Sequence, residues 1–292
     1  MKLARFTQAG QTRIGKVEGN RIIDLSPVLG ADAPMREVLA DLPRLRASLE
    51  AATGPAFALD AVRLEVSVPD PQKFLAIGMN YQKHADEARA AGITIPTSQM
   101  WFNKQVSCLN APFDPVVKPE ASDKVDYEIE LGVVIGRRCR HVAREDARSV
   151  IAGYVIVNDV SARDWLPRSP TFTLGKSFDT HGPVGPWITT DDEIRDPLDL
   201  GMRLWVNGEL RQDGRTSDMI YDIYDQIEYL STVMTLEPGD ILATGTPSGI
   251  GAPTGRFLKP GDRMRLEIEA LGMIESEIIA ETVPARVAEP AQ

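Results

Sequence analysis

The chain opens with short alternating runs, "KLARFTQAG", "TRIGKVEG" and "NRIIDLSP", broken at Gly10, Gly19 and Asn20. Period-two alternation with turn residues at the breaks predicts small strands joined by hairpins. "PMREVLADLPRLRASLEAA" carries apolar residues at helical spacing, interrupted at Pro43. "GPAFALDAVRLEVSVPDPQK" reads as a strand and then a Pro-rich turn, which places a domain boundary near Pro69 to Pro71. "FLAIGMN" predicts a short buried strand, and "NYQKHADEARAAG" a helix with Asn80 as N-cap and Gly92 just past its end. "EDARSVIAGYVIVNDVSARD" predicts a helix followed by a strand that ends at Asp159. "MRLWVNGELRQDG" is a hairpin turning at Asn207 and Gly208. "SDMIYDIYDQIEYLSTVM" reads as a helix with Ser217 as cap and Ile220, Ile223, Ile227 and Leu230 on one face. "PGD" at 238–240 and at 260–262 marks two turns into strands. Strands outnumber helices and lack the rhythm of a doubly wound sheet, so the predicted class is a β-rich α+β fold.

One strand departs from this pattern. In "KVDYEIELGVVIG" the residues Tyr127, Ile129, Leu131, Val133 and Ile135 alternate as an apolar face, while Glu128 and Glu130 share the opposite one. Side chains two apart on a strand lie roughly 6–7 Å from each other. Burying two such carboxylates costs several kcal/mol or forces protonation. A divalent cation between them removes the conflict. Oxygen-only ligation points to a hard ion, Mg²⁺ first, with Mn²⁺ or Ca²⁺ next. On this strand alone, a half-exposed face that leaves both glutamates in water is an equal reading. Asp159 adds a third carboxylate at the end of the apolar run "GYVIVND", where its ordinary role would be a turn or a helix cap. Three strand-borne carboxylates plus waters make an octahedral site with positions open to substrate.

Composition narrows the function classes. At 292 residues, with 43% hydrophobic and 25% charged, the chain can bury a full core as one large domain or one domain with an appendage. A net charge of -10 disfavours nucleic acid and anionic membrane as partners, but not a small anionic substrate. Cys108 and Cys139 are the only cysteines, so nothing requires an oxidising compartment. The N-terminal "MKLARFTQAGQTRIGK" lacks a signal-peptide core and no apolar run is long enough for a bilayer, so a cytoplasmic protein is expected. "LGKS" at 174–177 lacks the first Gly of a phosphate-binding loop, because Pro170 stands there. A multi-histidine zinc site would need all three histidines, His84, His141 and His181, which disfavours it.

Five motifs in order, "IGMNYQKHADE", "DYEIELGVVIG", "NDVSARD", "LGKSFDTHGPVGP" and "GDILATGTPSGIG", resemble the fumarylacetoacetate hydrolase family over about residues 71–280. The resemblance implies a mixed β-sheet fold with a small N-terminal α/β domain at 1–70, a catalytic domain at 71–285 and a tail at 286–292. It implies a homodimer, Mg²⁺ or Mn²⁺, and a small 2-oxo acid as substrate. It assigns the metal to Glu128, Glu130 and Asp159, the same three residues as the strand pattern. It assigns His84 and Glu87, at i and i+3 on one helix face, to the activation of water; without it a solvated helix would be the plainer reading. It places Lys176 near the substrate oxygens, Thr246 at the substrate carboxylate and Arg163 near the site. The ordinary roles are a surface lysine, a strand-to-loop turn, and an ion pair of Arg163 with Asp164 or another carboxylate. Tyr81 is a candidate substrate contact, and equally a core or lid aromatic. His141 lies in the basic, surface-like "RRCRHVARED", and His181 weighs less than His84. Many family members carry a glutamine where this chain has Leu166, which cannot donate a hydrogen bond.

The implied reaction is metal-dependent hydrolysis of a carbon–carbon bond in a 2,4-dioxo acid, of acylpyruvate or 2,4-diketo-3-deoxy sugar acid type, to pyruvate and a carboxylic acid. Decarboxylation of oxaloacetate, or isomerisation of an unsaturated dioxo acid, needs the same metal and is compatible with Leu166. A non-catalytic, metal-stabilised binding protein is the third reading.

Overall fold

The computed structural model describes residues 1–90, 92 and 94–282; the tail expected at 286–292 lies outside the described residues. Its centre is a twelve-stranded mixed sheet. Strand Ile129–Ile135 lies near the middle, antiparallel to Ile151–Asn158 on one side and to Ile241–Ala243 on the other. Phe74–Gly78 and Met100–Lys104 continue the sheet beyond Ile241–Ala243. Gly182–Thr190 continues it on the opposite side. The first hairpins join the same sheet: Lys2–Gln8 pairs with Gly182–Thr190, Gln11–Glu18 with Lys2–Gln8, and Arg21–Asp24 with Gln11–Glu18.

A second sheet of five strands packs on one face of the first. It runs in the order Glu209–Arg215, Gly201–Val206, Arg263–Ile268, Gly272–Ala280, Val116–Lys118. Ile129, Leu131, Val133 and Ile135 share a core with Met202, Leu204, Met264 and Leu266. On the other face Val134 packs with Val38, Leu39, Leu42 and Leu49 from the helices Met35–Ala40 and Leu42–Glu50. The central strand is therefore buried on both faces. The half-exposed alternative for Glu128 and Glu130 falls away, since they are 4% and 1% exposed.

Several expectations need correction. Asn80 does not cap the helix Gln82–Ala90; its amide donates to the carbonyls of Tyr221 and Thr244 and accepts from the Tyr221 N–H. Ser217 does not cap the later helix. That helix runs Ile223–Val233 and starts at a capping box of Asp222 and Asp225, which leaves Ile220 exposed. The expected helix before Ile151 is the tighter 3₁₀ turn Arg144–Val150. The hairpin at Asn207 and Gly208 forms with both residues left-handed, as a two-residue turn requires. Both cysteines are free and buried. No helix among the described residues is long and apolar enough to cross a membrane.

His181 is fully buried; its Nε2 lies 3.0 Å from the Val117 carbonyl, and Nδ1 has no partner among the described residues. Burial, and after it Lys104, lower its pKa from 6.5 to about 3. The unfolded chain thus takes up a proton that the native state refuses. The stability this group contributes is complete above pH 6.5 and is lost as pH falls toward 3. Replacing His181 by Gln, which keeps a donor but does not titrate, is expected to flatten the decline of stability between about pH 6 and about pH 4. Urea unfolding at stepped pH reads that slope, and an unchanged slope would contradict the assignment.

Candidate active site

The register of three neighbouring segments builds the site. Ile129 stands opposite Asn158, so the next residue, Asp159, lies beside Glu128, whose carbonyl accepts its N–H at 2.9 Å. Gly132 stands opposite Ala243, so the loop after that strand passes over Glu130. There the Gly245 N–H donates to Glu130 Oε2 at 2.8 Å. Gly245 is left-handed (φ +97°), and a Cβ there would meet Asn80 Cβ at 2.8 Å, so no other residue fits this approach. At the Val134 end of the strand the helical layer covers the face. At the Glu128 end that face opens into a cavity of about 110 Å³, with His84 on its wall.

Glu128, Glu130 and Asp159 each bring one oxygen to within 4.8 Å of the others, and all three are buried. Lys176, on the short helix Thr173–Lys176, donates to Glu128 Oε2 at 2.6 Å and to Asp159 Oδ2 at 2.5 Å. Arg163 donates to Glu128 Oε1 at 2.5 Å and to Asp126 Oδ2 at 2.9 Å. The expected ion pair is thus with Asp126 and Glu128; Asp164 instead accepts from the Ser122 hydroxyl. Burial alone would raise Glu128, but Arg163 and then Lys176 outweigh it and hold the carboxyl below its ordinary range. Burial, then Asp159 and Glu128, push Glu130 well above it. Burial would lower Lys176, but Asp159 and Glu128 keep its ammonium charged.

His84 Nδ1 lies 3.5 Å from Glu87 Oε2, and neither atom has a hydrogen-bond partner among the described residues. Thr246 lines the cavity, but its hydroxyl is engaged, donating to the Ile129 carbonyl and accepting from Gln212. Tyr81 does not line the cavity: it is buried in the core with its hydroxyl on Met202 Sδ at 3.2 Å, because it precedes the helix and pairs with Met219. His141 is exposed.

Two charged residues of this cluster escape the sequence reading. Lys104 is fully buried, 2.7 Å from Asp159 Oδ1, and hydrogen-bonds the carbonyls of Lys176 and Val160. Asp126 is fully buried and accepts from Arg163, Gly251, Ala252 and its neighbour Tyr127. Each had a signal. Lys104 closes an apolar strand as Asp159 does, and Asp126 shares the strand parity of Glu128 and Glu130.

The group is short of positive charge. Among the described residues, Asp126, Glu128 and Asp159 form ion pairs with Lys104, Arg163 and Lys176, and Glu130 forms none. A buried carboxylate in that position fits a divalent cation, and its all-oxygen neighbours fit a hard one.

Residues 73–279 match the model of the fumarylacetoacetate (FAA) hydrolase C-terminal family. The chain is 43% identical over 288 residues to a 2,4-didehydro-3-deoxy-L-rhamnonate hydrolase from Sphingomonas sp. (strain SKA58), covering 95% of this chain and 96% of the relative. The crystal structure of a maleylpyruvate hydrolase from Sphingobium sp. SYK-6, in complex with manganese(II) ion and pyruvate, superposes with a TM-score of 0.83 at 39% identity, over 97% of this chain and 100% of that one. A fumarylacetoacetate hydrolase from psychrophilic Exiguobacterium antarcticum superposes with a TM-score of 0.85 at 35% identity, over 96% and 100%. With residues 73–279 matched by the family model and full-length relatives at 35–43% identity, the chain belongs to the fumarylacetoacetate hydrolase family.

Proposed function

We propose that this protein is a divalent-metal-dependent hydrolase that breaks a carbon–carbon bond of a 2,4-dioxo acid and releases pyruvate and a carboxylic acid. The observation that carries this is Glu130: a buried carboxylate with no ion pair among the described residues, converging with Glu128 and Asp159 at the cavity that His84 lines. Relatives named for dioxo acid hydrolysis, one of them holding manganese and pyruvate, support it. Mg²⁺ is the expected native ion and Mn²⁺ the alternative; a cytoplasmic homodimer, with 71–285 as the catalytic unit and 1–70 appended to it, completes the reading.

Glu128, Glu130 and Asp159 would hold the metal, which supplies Lewis acidity toward the 2-oxo acid end of the substrate. His84 takes a proton from water as its oxygen attacks the 4-carbonyl, and Glu87 holds the imidazole and stabilises its charged form. As the tetrahedral carbon collapses, the C3–C4 bond breaks and its electron pair passes into the pyruvate enolate. Lys176 offsets that developing charge. A proton returned to C3 completes pyruvate, and C4 leaves as the carboxylic acid. The backbone N–H of Thr246, which follows the Gly245 N–H held by Glu130, is suited to the substrate carboxylate.

EDTA-treated protein is expected to lose turnover and to regain it with Mg²⁺ or Mn²⁺, when pyruvate and its co-product are both measured. Pyruvate plus CO₂ from oxaloacetate alone would replace the hydrolase by a decarboxylase. Turnover that survives EDTA would remove the metal from the mechanism.

A further inference from the structure

The cavity has a mixed lining. Besides the charged groups, Ile77, Met79, Met100, Phe102, Leu166 and Phe172 line it. None of these side chains carries a charge or a strong hydrogen-bonding group. Two of them stand on strained backbone, Met79 at φ +54° and Phe172 at φ +58°. Large side chains occupy that left-handed region only where the fold over-determines them; Gly or Asn would sit there at lower cost. The chain instead keeps two bulky apolar groups facing the cavity. Leu166 packs against Gly175, where a Cβ would lie 2.7 Å from its Cδ2. The Phe102 and Phe172 rings meet edge to face at 6.1 Å. Lys176 Nζ lies 4.9 Å from the centre of the Phe102 ring, where charged and apolar groups adjoin.

The charge balance agrees. Four buried carboxylates face three cations, so a bound divalent ion turns a deficit of one into an excess of one. A single substrate carboxylate neutralises it, whereas a second would bring back an uncompensated buried charge. The cations lining the cavity, Arg163 and Lys176, already pair with Asp126, Glu128 and Asp159.

Building on the hydrolase reading above, we propose that the substrate is a monocarboxylate whose acyl end is uncharged and mainly aliphatic. Met79, Leu166 and Phe172 determine that specificity, against dioxo acids with a second carboxylate or a polyhydroxylated chain. A hydroxyl set against these apolar side chains would find no partner on them, and a distal carboxylate would meet in Arg163 and Lys176 only cations already paired with carboxylates.

Binding of inert 2-oxo acids to the Mn²⁺-loaded full chain tests this without turnover. The probes are 2-oxohexanoate, 2-oxohexanedioate and a 4,5-dihydroxy-2-oxohexanoate, read by calorimetry. The alkyl acid is expected to bind about tenfold or more tighter than the other two. Equal or tighter binding of either polar acid overturns the proposal. Pyruvate release from the matching 2,4-dioxo acids is scored separately: its absence for all three removes the hydrolase reading, while the order of affinities still decides the specificity. Leu166→Gln should narrow the preference for the alkyl over the dihydroxy acid by about threefold or more. Phe172→Asn, which tolerates the left-handed backbone, should do the same. If both variants fold and neither moves the ratio, the apolar wall does not set specificity and the proposal falls.

Discussion

Glu130→Gln is expected to reduce turnover at millimolar metal by about a thousandfold, and to weaken metal affinity by about a hundredfold or more, extending the smaller losses typical of outer-shell changes. The same substitution should make the metal-free protein more stable. Glu130 is 1% exposed, faces Asp159 and Glu128, and has one backbone N–H as its hydrogen-bond partner. In the metal-free protein it stays charged without compensation or holds a proton that solvent would take, and both are unfavourable. Glutamine keeps the shape and an acceptor for the Gly245 N–H, and removes the charge. A gain of about 1–3 kcal/mol follows from that argument. Thermal unfolding with EDTA should therefore rank the variant above the parent, and unfolding with Mn²⁺ should bring the two together or reverse them. A variant less stable in both conditions would mean that Glu130 serves the fold and not a cation.

The second large effect concerns His84. Replacement by Asn is expected to lower kcat by about 10²–10⁴-fold, the usual range for loss of a general base, and to leave metal affinity unchanged. The separation of the two readouts is the test, since Glu130→Gln moves both. Glu87→Gln should cost less, about tenfold to a hundredfold, because it removes the group that orients and charges the imidazole while the base remains. The 3.5 Å spacing of His84 Nδ1 and Glu87 Oε2 is longer than an ordinary hydrogen bond, and since both stand on the helix Gln82–Ala90, a small side-chain rotation completes it. If His84→Asn retains full kcat, the proton goes elsewhere. The buried lysines Lys176 and Lys104 are both engaged with Asp159 and are poorly placed to take that role.

Sequence and structure contribute differently at individual residues. Glu128 and Glu130 are legible as a convergent pair because strand parity is local: two residues apart on a strand means the same face, whatever the rest of the fold does. Asp159 is legible as an anomaly, a carboxylate closing an apolar run. That it lies beside Glu128 depends on the pairing of Ile129 with Asn158, a register set across two strands. Lys104 offers the same local signal as Asp159, yet nothing in its neighbourhood says that its ammonium reaches Asp159, 55 residues on. Tyr81 and Asn80 mislead for the same reason, since their partners Met202, Tyr221 and Thr244 lie more than a hundred residues away.

The sequence by itself determined the β-rich class, the hairpin at Asn207 and Gly208, the paired glutamates and, through five ordered motifs, the family. These rest on periodicity, turn chemistry and short contiguous strings, all of which act between near neighbours. Only the tertiary structure decided that both faces of the central strand are buried, that the first hairpins extend the main sheet, that among the described residues Glu130 has no ion pair while Glu128 has two, and that apolar side chains line the same cavity. Burial and charge compensation depend on which distant segments pack together. Strand order, register and the layering of helices over a sheet settle that, and none of these is written in any one stretch of chain.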